Sequence, residues 1–596
     1  MISKCSLRLC SDRLTTLFLS AFLIAIAGFG PAQAQSAAGE NALISYDARF
    51  HPVIGENGAV AAQEEIAAQV GRDILAAGGN AVDAAVATGF ALAVTHPQAG
   101  NLGGGGFMVI TLADRDEPIA IDYREMAPAA AGRDMFLDQD GNVDNERARF
   151  SHLSAGVPGS VMGLTTALDQ YGTMTLKEVL SPAIKLADKG FGMPRALAQA
   201  LGRRQDRFKR DPSSLSYLYK PDGSSYQTGE RFVQKDLART LKRIAKEGAA
   251  GFYEGPVAAL IVAEMEANGG LITLDDLKNY RAVERDAITG SYRGHEIISM
   301  PPPSSGGIHV IEMLNILEGY DLASLGHNSA DYIAVLIEAM RRAYADRSEY
   351  LGDPDYFDVP IEALTDKDYA ATLRAQIDPN KATLSSAVRP GLGPVDESPQ
   401  TTHFSVADKD GNAVAVTTTL NFTFGSGYSV DGAGFLLNNE MDDFSAKPGA
   451  PNGFGLIGGT ANAIEPGKRP LSSMTPTMVL KDGEPWLVTG SPGGSTIINI
   501  VLQVILNAID FDMNAMQAVN SPRIHHQWMP DVVATEPGIS IDTLRVLESR
   551  GFKLMKTDDG AYSQRVMGSA NTIMLEDGVV FGAADPRRPG AGVAVH

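Results

Sequence analysis

The chain has 596 residues, of which 44% are hydrophobic and 20% are charged, so it can build a large core and is not a disordered chain. Its 50 Lys and Arg residues stand against 71 Asp and Glu residues, and the formal net charge of −21 argues against binding to a nucleic-acid phosphate backbone. The two cysteines, Cys5 and Cys10, exclude a disulfide framework and a cysteine-based zinc cluster.

The first 34 residues have the order of segments that is typical of a secretory signal peptide. Basic residues precede an apolar run from Leu17 to Ala27, and Ala32-Gln33-Ala34 forms a small-x-small cleavage site. The run is shorter than the ~20 residues of a membrane-spanning helix, so we expect no membrane anchor after cleavage. We therefore predict a signal peptide over 1–34 and a periplasmic or extracellular mature protein without cysteine.

The next part of the chain is predicted to be mainly helical. Ile66, Val70 and Ile74 have helical spacing within a helix placed over 61–78, which ends at Gly78-Gly79. A second, alanine-rich helix is predicted from about Ala81.

A glycine-rich loop over 100–106 then leads into a β-branched strand that ends at Thr111. The loop lacks the Lys-Ser/Thr that follows the glycines of a P-loop, so we do not predict a phosphate-binding loop. A mostly helical stretch spans roughly 160–380, and its basic run from Arg203 to Arg210 is interpreted as a solvated helix face.

The composition of the sequence changes after residue 380. Residues 381–400 have the composition of an exposed linker, and short strands with Gly, Asn and Pro turns are predicted from Thr401 to His596. We predict no metal site, because His525 and His526 are neighbours that would point to opposite faces of a strand.

Two β-rich runs flank the turn Asp408-Lys-Asp-Gly-Asn412 and predict a hairpin that begins at Thr401. Pairing about this turn brings Thr417 to Thr419 within side-chain reach of Thr401. A cut between Gln400 and Thr401 would give one residue both a hydroxyl and a free α-amine. An α-amine has a pKa of ~7.7–8.0 and can act as general base toward that hydroxyl. An ordinary Thr-rich strand pair is the alternative when the hairpin is considered alone.

Seven segments of the chain act together as a signature. They are Asn101-Leu-Gly-Gly-Gly-Gly106, Asp122-Tyr-Arg-Glu-Met-Ala127, Pro301-Pro-Pro-Ser-Ser-Gly-Gly307, Gln400-Thr-Thr-His-Phe-Ser405, Leu437-Asn-Asn-Glu-Met-Asp-Asp-Phe444, Arg469-Pro-Leu-Ser-Ser-Met-Thr-Pro476 and Gly490-Ser-Pro-Gly-Gly-Ser495. Each segment alone is a weak signal. In this order, over about residue 45 to the C-terminus, the chain resembles the γ-glutamyltransferase (glutathione hydrolase) family.

The resemblance implies an α+β fold, the four-layer αββα sandwich of N-terminal-nucleophile hydrolases. It implies a precursor that cuts itself before Thr401, leaving a large subunit (35–400) and a small catalytic subunit (401–596) that stay together as a heterodimer. The Thr401 hydroxyl would attack the Gln400 carbonyl during maturation and later the γ-glutamyl amide of glutathione and related compounds. The γ-glutamyl-enzyme ester would pass to water or to the amine of an amino acid or peptide. No cofactor is implied.

The family pattern also implies roles for further residues. Thr419 matches a second threonine whose hydroxyl bonds the nucleophile, and Gly493 and Gly494 can present backbone N–H groups to a tetrahedral oxyanion. A γ-glutamyl group carries both an α-carboxylate and an α-amine, so its site needs both charges. The carboxylate is expected at Arg124, Ser472 and Ser473, and the ammonium at Asn421, Glu440 and Asp443.

Two positions vary from the family pattern. Glu440 stands where many bacterial members have Gln, and an extra carboxylate there still suits an ammonium group. The loop over 445–455 corresponds to a lid, in which Phe454 replaces a frequent Tyr and can cover the pocket without the hydrogen bond of a hydroxyl. The lid favours a transferase-type member over related acylases that lack it.

Two other functions compete with this interpretation. The first is a cephalosporin acylase of the same fold, which acts on glutaryl amides. A glutaryl group lacks the α-ammonium, so Glu440 and Asp443 favour the γ-glutamyl substrate. The second is a non-catalytic periplasmic binding protein, against which the presence of Thr401, Thr419 and Arg124 argues.

Overall fold

The computed structural model describes residues 50–388 and 401–596. The predicted signal peptide (1–34), the second half of the predicted linker and Gln400 lie outside the described residues. Within the described ranges, no helix has the length and apolar character that crossing a membrane requires.

Two seven-stranded sheets form the centre of the molecule, and every pair of neighbouring strands in them is antiparallel. The first sheet consists, in spatial order, of β1 (Val53–Gly55), β17 (Val579–Ala583), β16 (Thr572–Glu576), β13 (Glu484–Thr489), β12 (Thr477–Lys481), β9 (His295–Ser299) and β8 (Ile288–Tyr292). The second consists of β18 (Gly592–Val595), β2 (Gly58–Ala62), β10 (Thr401–Asp408), β11 (Ala413–Thr419), β3 (Gly105–Thr111), β4 (Ile119–Tyr123) and β7 (Val283–Asp286). Two short pairs are separate: β5 (Phe191–Gly192) with β6 (Arg231–Phe232), and β14 (Ile524–His525) with β15 (Ala534–Thr535).

The α-helices surround these sheets. In the first described range they are Glu65–Ala76, Ala81–Thr95, Asn145–Arg149, Ser160–Tyr171, Leu176–Lys189, Arg195–Phe208, Pro212–Leu218, Lys235–Glu247, Ala250–Tyr253, Gly255–Asn268, Leu274–Asn279, Gly306–Leu317, Leu322–Leu325, Ala330–Tyr350, Ile361–Thr365 and Lys367–Arg374. In the second range they are Ile497–Ile509, Ala515–Asn520 and Ile541–Ser549.

Alternate residues of the second sheet belong to two different cores. In β2, Val60 and Ala62 pack with the helices that cover this sheet, whereas Ala59 and Ala61 belong to the core that lies against the first sheet. The same alternation occurs in β11, where the residues that face the other sheet are small. Both faces of the strands are therefore covered, and the predicted four-layer αββα sandwich is confirmed.

The helical layers come from distant parts of the chain. Helix Ala81–Thr95 packs on β10 and β11 of the second sheet, and helix Gly306–Leu317 packs on β8 and β9 of the first. Helix Ile497–Ile509 lies beside Gly306–Leu317. The two halves of the chain thus contribute to the same layers.

The two predicted N-terminal helices are present, with one changed boundary. The first begins at Glu65 rather than at 61, because Ala61 and Ala62 extend β2 and the Glu64 carboxylate accepts hydrogen bonds from the amides of Ile66 (3.0 Å) and Ala67 (2.9 Å). The helix predicted from Ala81 begins there, behind a capping box.

The predicted division into a mostly helical stretch over 160–380 and a strand-rich part from Thr401 is wrong in detail. Strands β7, β8 and β9 lie inside the stretch that was predicted to be helical, and helix Ile497–Ile509 lies inside the strand-rich part. The helix is apolar except for Asn499, Gln503 and Asn507, and their four-residue spacing places them on one helix face, a periodicity that the strand-rich interpretation overlooked. β7 reads Val-Glu-Arg-Asp, which is polar because it is an edge strand.

Two helical glycines offer a test of the packing. A Cβ atom at Gly163 would lie 2.2–2.5 Å from Tyr123, which is buried, so G163A has no space without moving an aromatic ring. We expect G163A to lower the free energy of unfolding by ~1–3 kcal/mol or more, measured by urea denaturation. The control is G202A in helix Arg195–Phe208, where the added Cβ meets nothing within 4 Å. It should raise the free energy of unfolding by up to ~1 kcal/mol, and equal effects of the two changes would contradict this packing.

Candidate active site

The hairpin that begins at Thr401 forms as predicted. β10 and β11 pair antiparallel, and Thr401 lies directly opposite Thr419 in the register. The Asp408 carboxylate accepts hydrogen bonds from the amides of Asp410 (2.9 Å) and Asn412 (3.0 Å) and so stabilises the turn. Thr401 and Thr419 are both buried. The turn therefore sets the register that brings the two threonines together.

The glycine-rich segment 103–106 lets other backbone approach this hairpin closely. A Cβ atom at Gly104 would lie 2.0 Å from the Thr419 carbonyl oxygen, and one at Gly106 would lie 2.4 Å from that of Thr417. Side chains at these positions would push β3 and its preceding loop away from β11. The glycines have a packing role beside the threonine pair.

A pocket opens at the head of the hairpin. Its volume is about 20 Å³, and residues from several separate segments of the chain line it. The lining consists of Arg124, Arg347, Thr401, Thr419, Asn421, Glu440, Asp443, Phe454, Leu456, Ser472, Ser473, Met474, Gly494 and Ile497. The structure thus brings together the residues predicted for the site, except that Gly493 lies next to the lining residue Gly494 and Gln400 is outside the described residues.

Arg124 is the central cation of the pocket. Its guanidinium donates to the carboxylates of Glu440 and Asp443, and its Nη1 lies 3.7 Å from a carboxylate oxygen of Glu125. Its Nε donates to the Pro470 carbonyl at 3.2 Å. Burial acts to lower the pKa of Arg124, but the surrounding carboxylates outweigh burial and raise it.

The pKa values of the three acids around Arg124 are also raised, but by burial. Burial raises the pKa of Glu125 to about 7, and it also raises the pKa values of Glu440 and Asp443 in spite of the nearby Arg124. Both carboxylate oxygens of Glu125 and the Oε2 of Glu440 have no hydrogen-bond partner in the described part of the chain. The cluster can therefore exchange partners and protons within one buried volume.

Ser472 and Ser473 are held by the segment 301–307. The amide of Ser472 donates to the Pro303 carbonyl (2.8 Å), and its own carbonyl accepts from the amide (2.8 Å) and the hydroxyl (2.7 Å) of Ser305. A Cβ atom at Gly306 would lie 2.0 Å from the Thr475 hydroxyl, so the two segments lie in close contact. The Pro-Pro-Pro-Ser-Ser-Gly-Gly motif thus supports the two serines.

Arg347 is a second cation in the pocket, and the sequence did not indicate it. Its Nη2 donates to the Ser473 hydroxyl at 3.1 Å and its Nε donates to the Ser305 hydroxyl at 2.9 Å. Burial lowers the pKa of Arg347 to about 10. It lies in helix Ala330–Tyr350 together with other buried arginines, so its sequence context does not distinguish it from a structural residue.

The turn at Gly493 and Gly494 has a backbone that favours glycine. Gly493 has φ 150° and Gly494 has φ 56°, and a Cβ atom at Gly494 would lie 2.6 Å from the Phe454 ring. Gly493 precedes and Gly494 begins the short 3₁₀ turn Gly494–Thr496 that enters helix Ile497–Ile509, where the first N–H groups lack intrahelical acceptors. Their amides are therefore suited to an oxyanion.

Phe454 covers this turn from the lid loop. Its ring packs against Phe422 in an edge-to-face arrangement with the centroids 5.3 Å apart. Its amide donates to the Asn452 side chain (2.9 Å) and its carbonyl accepts from the Gln527 side chain (3.3 Å). The lid residue is thus fixed from both sides.

Asn421 follows the second threonine in a left-handed backbone conformation, with φ 72°. Its amide donates to the Thr419 hydroxyl at 2.8 Å, and its side-chain nitrogen donates to the Asn439 carbonyl at 2.9 Å. Its Oδ1 is buried and has no partner among the described residues. Asn421 thus adds an unpartnered acceptor oxygen to the residues that line a pocket with carboxylates.

The described residues contain no group of three or more His, Cys, Asp and Glu side chains that could hold a metal ion. His525, in β14, approaches the Asn499 side chain at 2.7 Å instead. The side chains that line the pocket supply hydroxyls, an amide, two guanidinium groups and two carboxyls, and Glu125 adds a third carboxyl beside Arg124.

The chain is similar to known proteins over most of its length. Residues 67–595 match the family model described as gamma-glutamyltranspeptidase. The chain is 54% identical to the glutathione hydrolase proenzyme of Escherichia coli (strain K12), and the match covers 90% of this chain and 92% of that one.

Two solved structures are also similar to the chain. A cephalosporin acylase from Bacillus halodurans superimposes with a TM-score of 0.81 at 29% identity and covers 93% of this chain and 98% of its own. The gamma-glutamyltranspeptidase of Helicobacter pylori has a TM-score of 0.54 at 49% identity and covers 56% of this chain and 95% of its own.

His403 provides a pH-dependent test of the core beneath the pocket. Its ring lies 2.9 Å from the Thr417 hydroxyl and 3.0 Å from that of Ser405, and burial lowers its pKa to about 3. The unfolded chain takes up the proton near pH 6.5 and the folded chain does not, so stability is lost as the pH falls from 6.5 toward 3. Relative to H403Q, the wild type should lose ~1.4 kcal/mol per pH unit in that window.

The measurement is urea unfolding of wild type and H403Q at pH 7.5, 6.0 and 5.0. Other titrating groups are common to both proteins and cancel in the difference. A difference in the free energy of unfolding that stays constant over these pH values would contradict a buried, neutral His403.

Proposed function

The chain belongs to the gamma-glutamyltranspeptidase family, and on that premise we propose that it hydrolyses and transfers the γ-glutamyl group of glutathione and related amides with Thr401 as its nucleophile. The observation that carries the proposal is the placement of Thr401 opposite Thr419 in a pocket lined by Arg124 and Asp443. That pocket combines a nucleophile with both charges that an amino-acid head group requires.

Maturation is the first reaction of Thr401. Its hydroxyl adds to the Gln400 carbonyl, the peptide C–N bond breaks, and the acyl group passes from nitrogen to oxygen. Water then hydrolyses the ester, which leaves a carboxylate on Gln400 and a free α-amine on Thr401. The new amine is the general base that the hydroxyl lacks in the precursor.

The mature reaction repeats this chemistry on a substrate. The Thr401 hydroxyl adds to the γ-carbonyl carbon while the α-amine accepts its proton, and the amides of Gly493 and Gly494 stabilise the oxyanion. The proton passes to the leaving amine as the C–N bond breaks. Water or an acceptor amine then attacks the γ-glutamyl ester, and Thr401 regains its proton.

Thr419 has a positioning role in this scheme. Its hydroxyl accepts from the amide of Asn421 at 2.8 Å, which fixes the side chain opposite the nucleophile. A fixed hydroxyl can orient the Thr401 oxygen toward the carbonyl carbon.

Substrate binding requires an exchange of partners at Arg124. The guanidinium donates to Glu440 and Asp443 in the structure, and an incoming α-carboxylate can replace one of them with the help of Ser472 and Ser473. The released carboxylate and the Asn421 Oδ1 are then available to the α-ammonium. This pairing favours a zwitterion over a glutaryl group, so the acylase function is the weaker alternative.

We further propose that the products of the cut, 35–400 and 401–596, stay associated. In the second sheet, β10 and β11 from the later segment lie between β2 and β3 from the earlier one. In the first sheet, β12 pairs with β9 in the same way across the two segments. Separation of the two products would break hydrogen-bonded strand pairs in both sheets. The cut between residues 400 and 401 leaves these pairs in place.

The place of action follows from the predicted signal peptide. We propose export of the chain through residues 1–34, and hence action in the periplasm or the medium. Acceptor preference depends on the entrance beside the lid at Phe454, where the replacement of Tyr removes a hydroxyl.

The mass of the purified protein tests the cut. Wild type should yield two chains, the smaller of which begins at Thr401, and T401A should remain a single chain because the attacking hydroxyl is absent. The control is T402A, since Thr402 points to the opposite face of β10 and its hydroxyl is unpartnered in the described part of the chain. T402A should be cut like wild type. A wild-type protein that remains a single chain would contradict the proposed mechanism.

The charge of Asp443 tests the substrate class. We expect D443N to raise KM for a γ-glutamyl anilide ~10- to 100-fold, because it loses a charge-assisted contact to the ammonium. Slow cleavage of the matching glutaryl anilide should change less than threefold. D431N, an exposed change in the same segment, should leave both substrates unaffected. Equal losses on the two anilides, in protein that mass spectrometry shows to be cut, would argue against an ammonium site at Asp443.

A further inference from the structure

A second pocket lies outside the catalytic site and has a different chemistry. Its volume is about 160 Å³, whereas a single water needs only ~10–15 Å³ of such space. Five separate segments enclose it, with Gln63 after β2, His96 and Gln98 at the end of helix Ala81–Thr95, helix Arg195–Phe208, Thr423 and Arg588. We call it the arginine pocket.

Three arginines line the arginine pocket. Arg203 is exposed, while Arg204 and Arg588 are half-buried, and none of the three has an ion-pair partner among residues 50–388 and 401–596. The negative charge of Asp585 acts on Arg588, but the Asp585 carboxylate already binds Arg523 (2.8 Å) and Arg587 (3.2 Å). Three cations without a carboxylate are unexpected in a chain with a net charge of −21.

Neutral polar groups complete the lining. Gln63, His96, Gln98 and Thr423 are between 3% and 7% exposed, and each has one buried side-chain atom without a hydrogen-bond partner in the part of the chain that the structure describes. Buried polar atoms normally have partners, so four in one wall point to groups that a ligand would satisfy. Burial and the nearby Arg588 lower the pKa of His96 to about 3, so His96 is neutral and adds no charge.

We propose that the arginine pocket binds a small polyvalent oxyanion, a phosphate or a compact di- or tricarboxylate, at a site separate from the catalytic pocket. Guanidinium groups are suited to both carboxylate and phosphate because their paired N–H groups match two oxygens. The Thr423 hydroxyl can donate to a further oxygen of the same ligand, whereas the unpartnered Oε1 atoms of Gln63 and Gln98 are acceptors and can bond its hydroxyl groups.

The pocket adjoins the loop that leads to the catalytic site. Thr423 lies two residues after Asn421, and the amide of Phe424 donates to the Gln98 carbonyl at 2.9 Å. Arg207, on the same helix as Arg203 and Arg204, donates to the carbonyls of Thr423 (3.4 Å) and Gly425 (2.5 Å). The ligand site and the substrate site therefore share one segment but no lining residue.

Isothermal titration calorimetry on the processed protein tests the proposal. Inorganic phosphate and citrate are titrated separately at fixed ionic strength, with chloride as the monovalent comparison. At least one of the two should bind with one site in the arginine pocket, and R588Q and R204Q should each raise its Kd at least tenfold. Binding of phosphate alone assigns a phosphate ligand, and binding of citrate alone assigns a carboxylate.

The control variant is R195Q, which removes an exposed arginine from the first turn of the same helix and should leave the Kd unchanged. Thermal melting without anion shows whether each variant is folded, and R204Q alone decides the result if R588Q is not. Absence of binding by both anions, or equal affinity in wild type and folded variants, would overturn the proposal. Hydrolysis of the γ-glutamyl anilide is assayed in parallel, so a failure of the catalytic assignment is recognised separately.

Discussion

A nucleophile that uses its own α-amine as base has to stand at a chain terminus, and the terminus that the proposed cut would create begins a strand inside a sheet. Thr401 is the first residue of β10, which lies between β2 and β11 and is buried on both faces. A chain made in one piece can put a terminus there only by folding first and being cut afterward. The proposed maturation, the interleaved strands and the glycines that let β3 approach β11 are all consequences of this one constraint.

The second requirement is a place for two opposite charges within a few ångströms. Arg124 is paired with Glu125, Glu440 and Asp443, and the charge of Asp443 also acts on Arg347. These groups are buried or largely buried, so each charge depends on its partners. Desolvation raises the pKa of the acids, while the same acids raise the pKa of Arg124. A zwitterion can replace the ion pairs within such a cluster, because its carboxylate can bind an arginine and its ammonium can bind a carboxylate. This explains why the site contains both cations and anions.

The sequence predicted which residues meet in the pocket more accurately than it predicted the order of helices and strands along the chain. The turn at Asp408–Asn412 is local, so the hairpin could be derived, with Thr417 to Thr419 within reach of Thr401. The structure shows that Thr419 is the residue directly opposite Thr401. Arg124, Ser472 and Gly494 were identified only through the family resemblance, since their approach depends on contacts hundreds of residues apart. Arg347 and Glu125 were missed because burial, not spacing, gives them their role. The placement of β7–β9 and of helix Ile497–Ile509 failed because local composition does not show which layer of the sandwich an element will join.

Net charge and local charge describe different properties of this molecule. The overall balance of −21 governs long-range behaviour and disfavours a nucleic-acid partner. It does not prevent arginines from dominating small volumes, because a buried guanidinium acts over a few ångströms in a low dielectric, where distant surface acids are screened. At Arg124 the protein supplies the balancing carboxylates itself. Arg588 and Arg204 form no ion pair among the described residues, and the charge of Asp585, which acts on Arg588, is shared with Arg523 and Arg587. The argument that supports a zwitterion in the first cluster therefore supports an anion in the second.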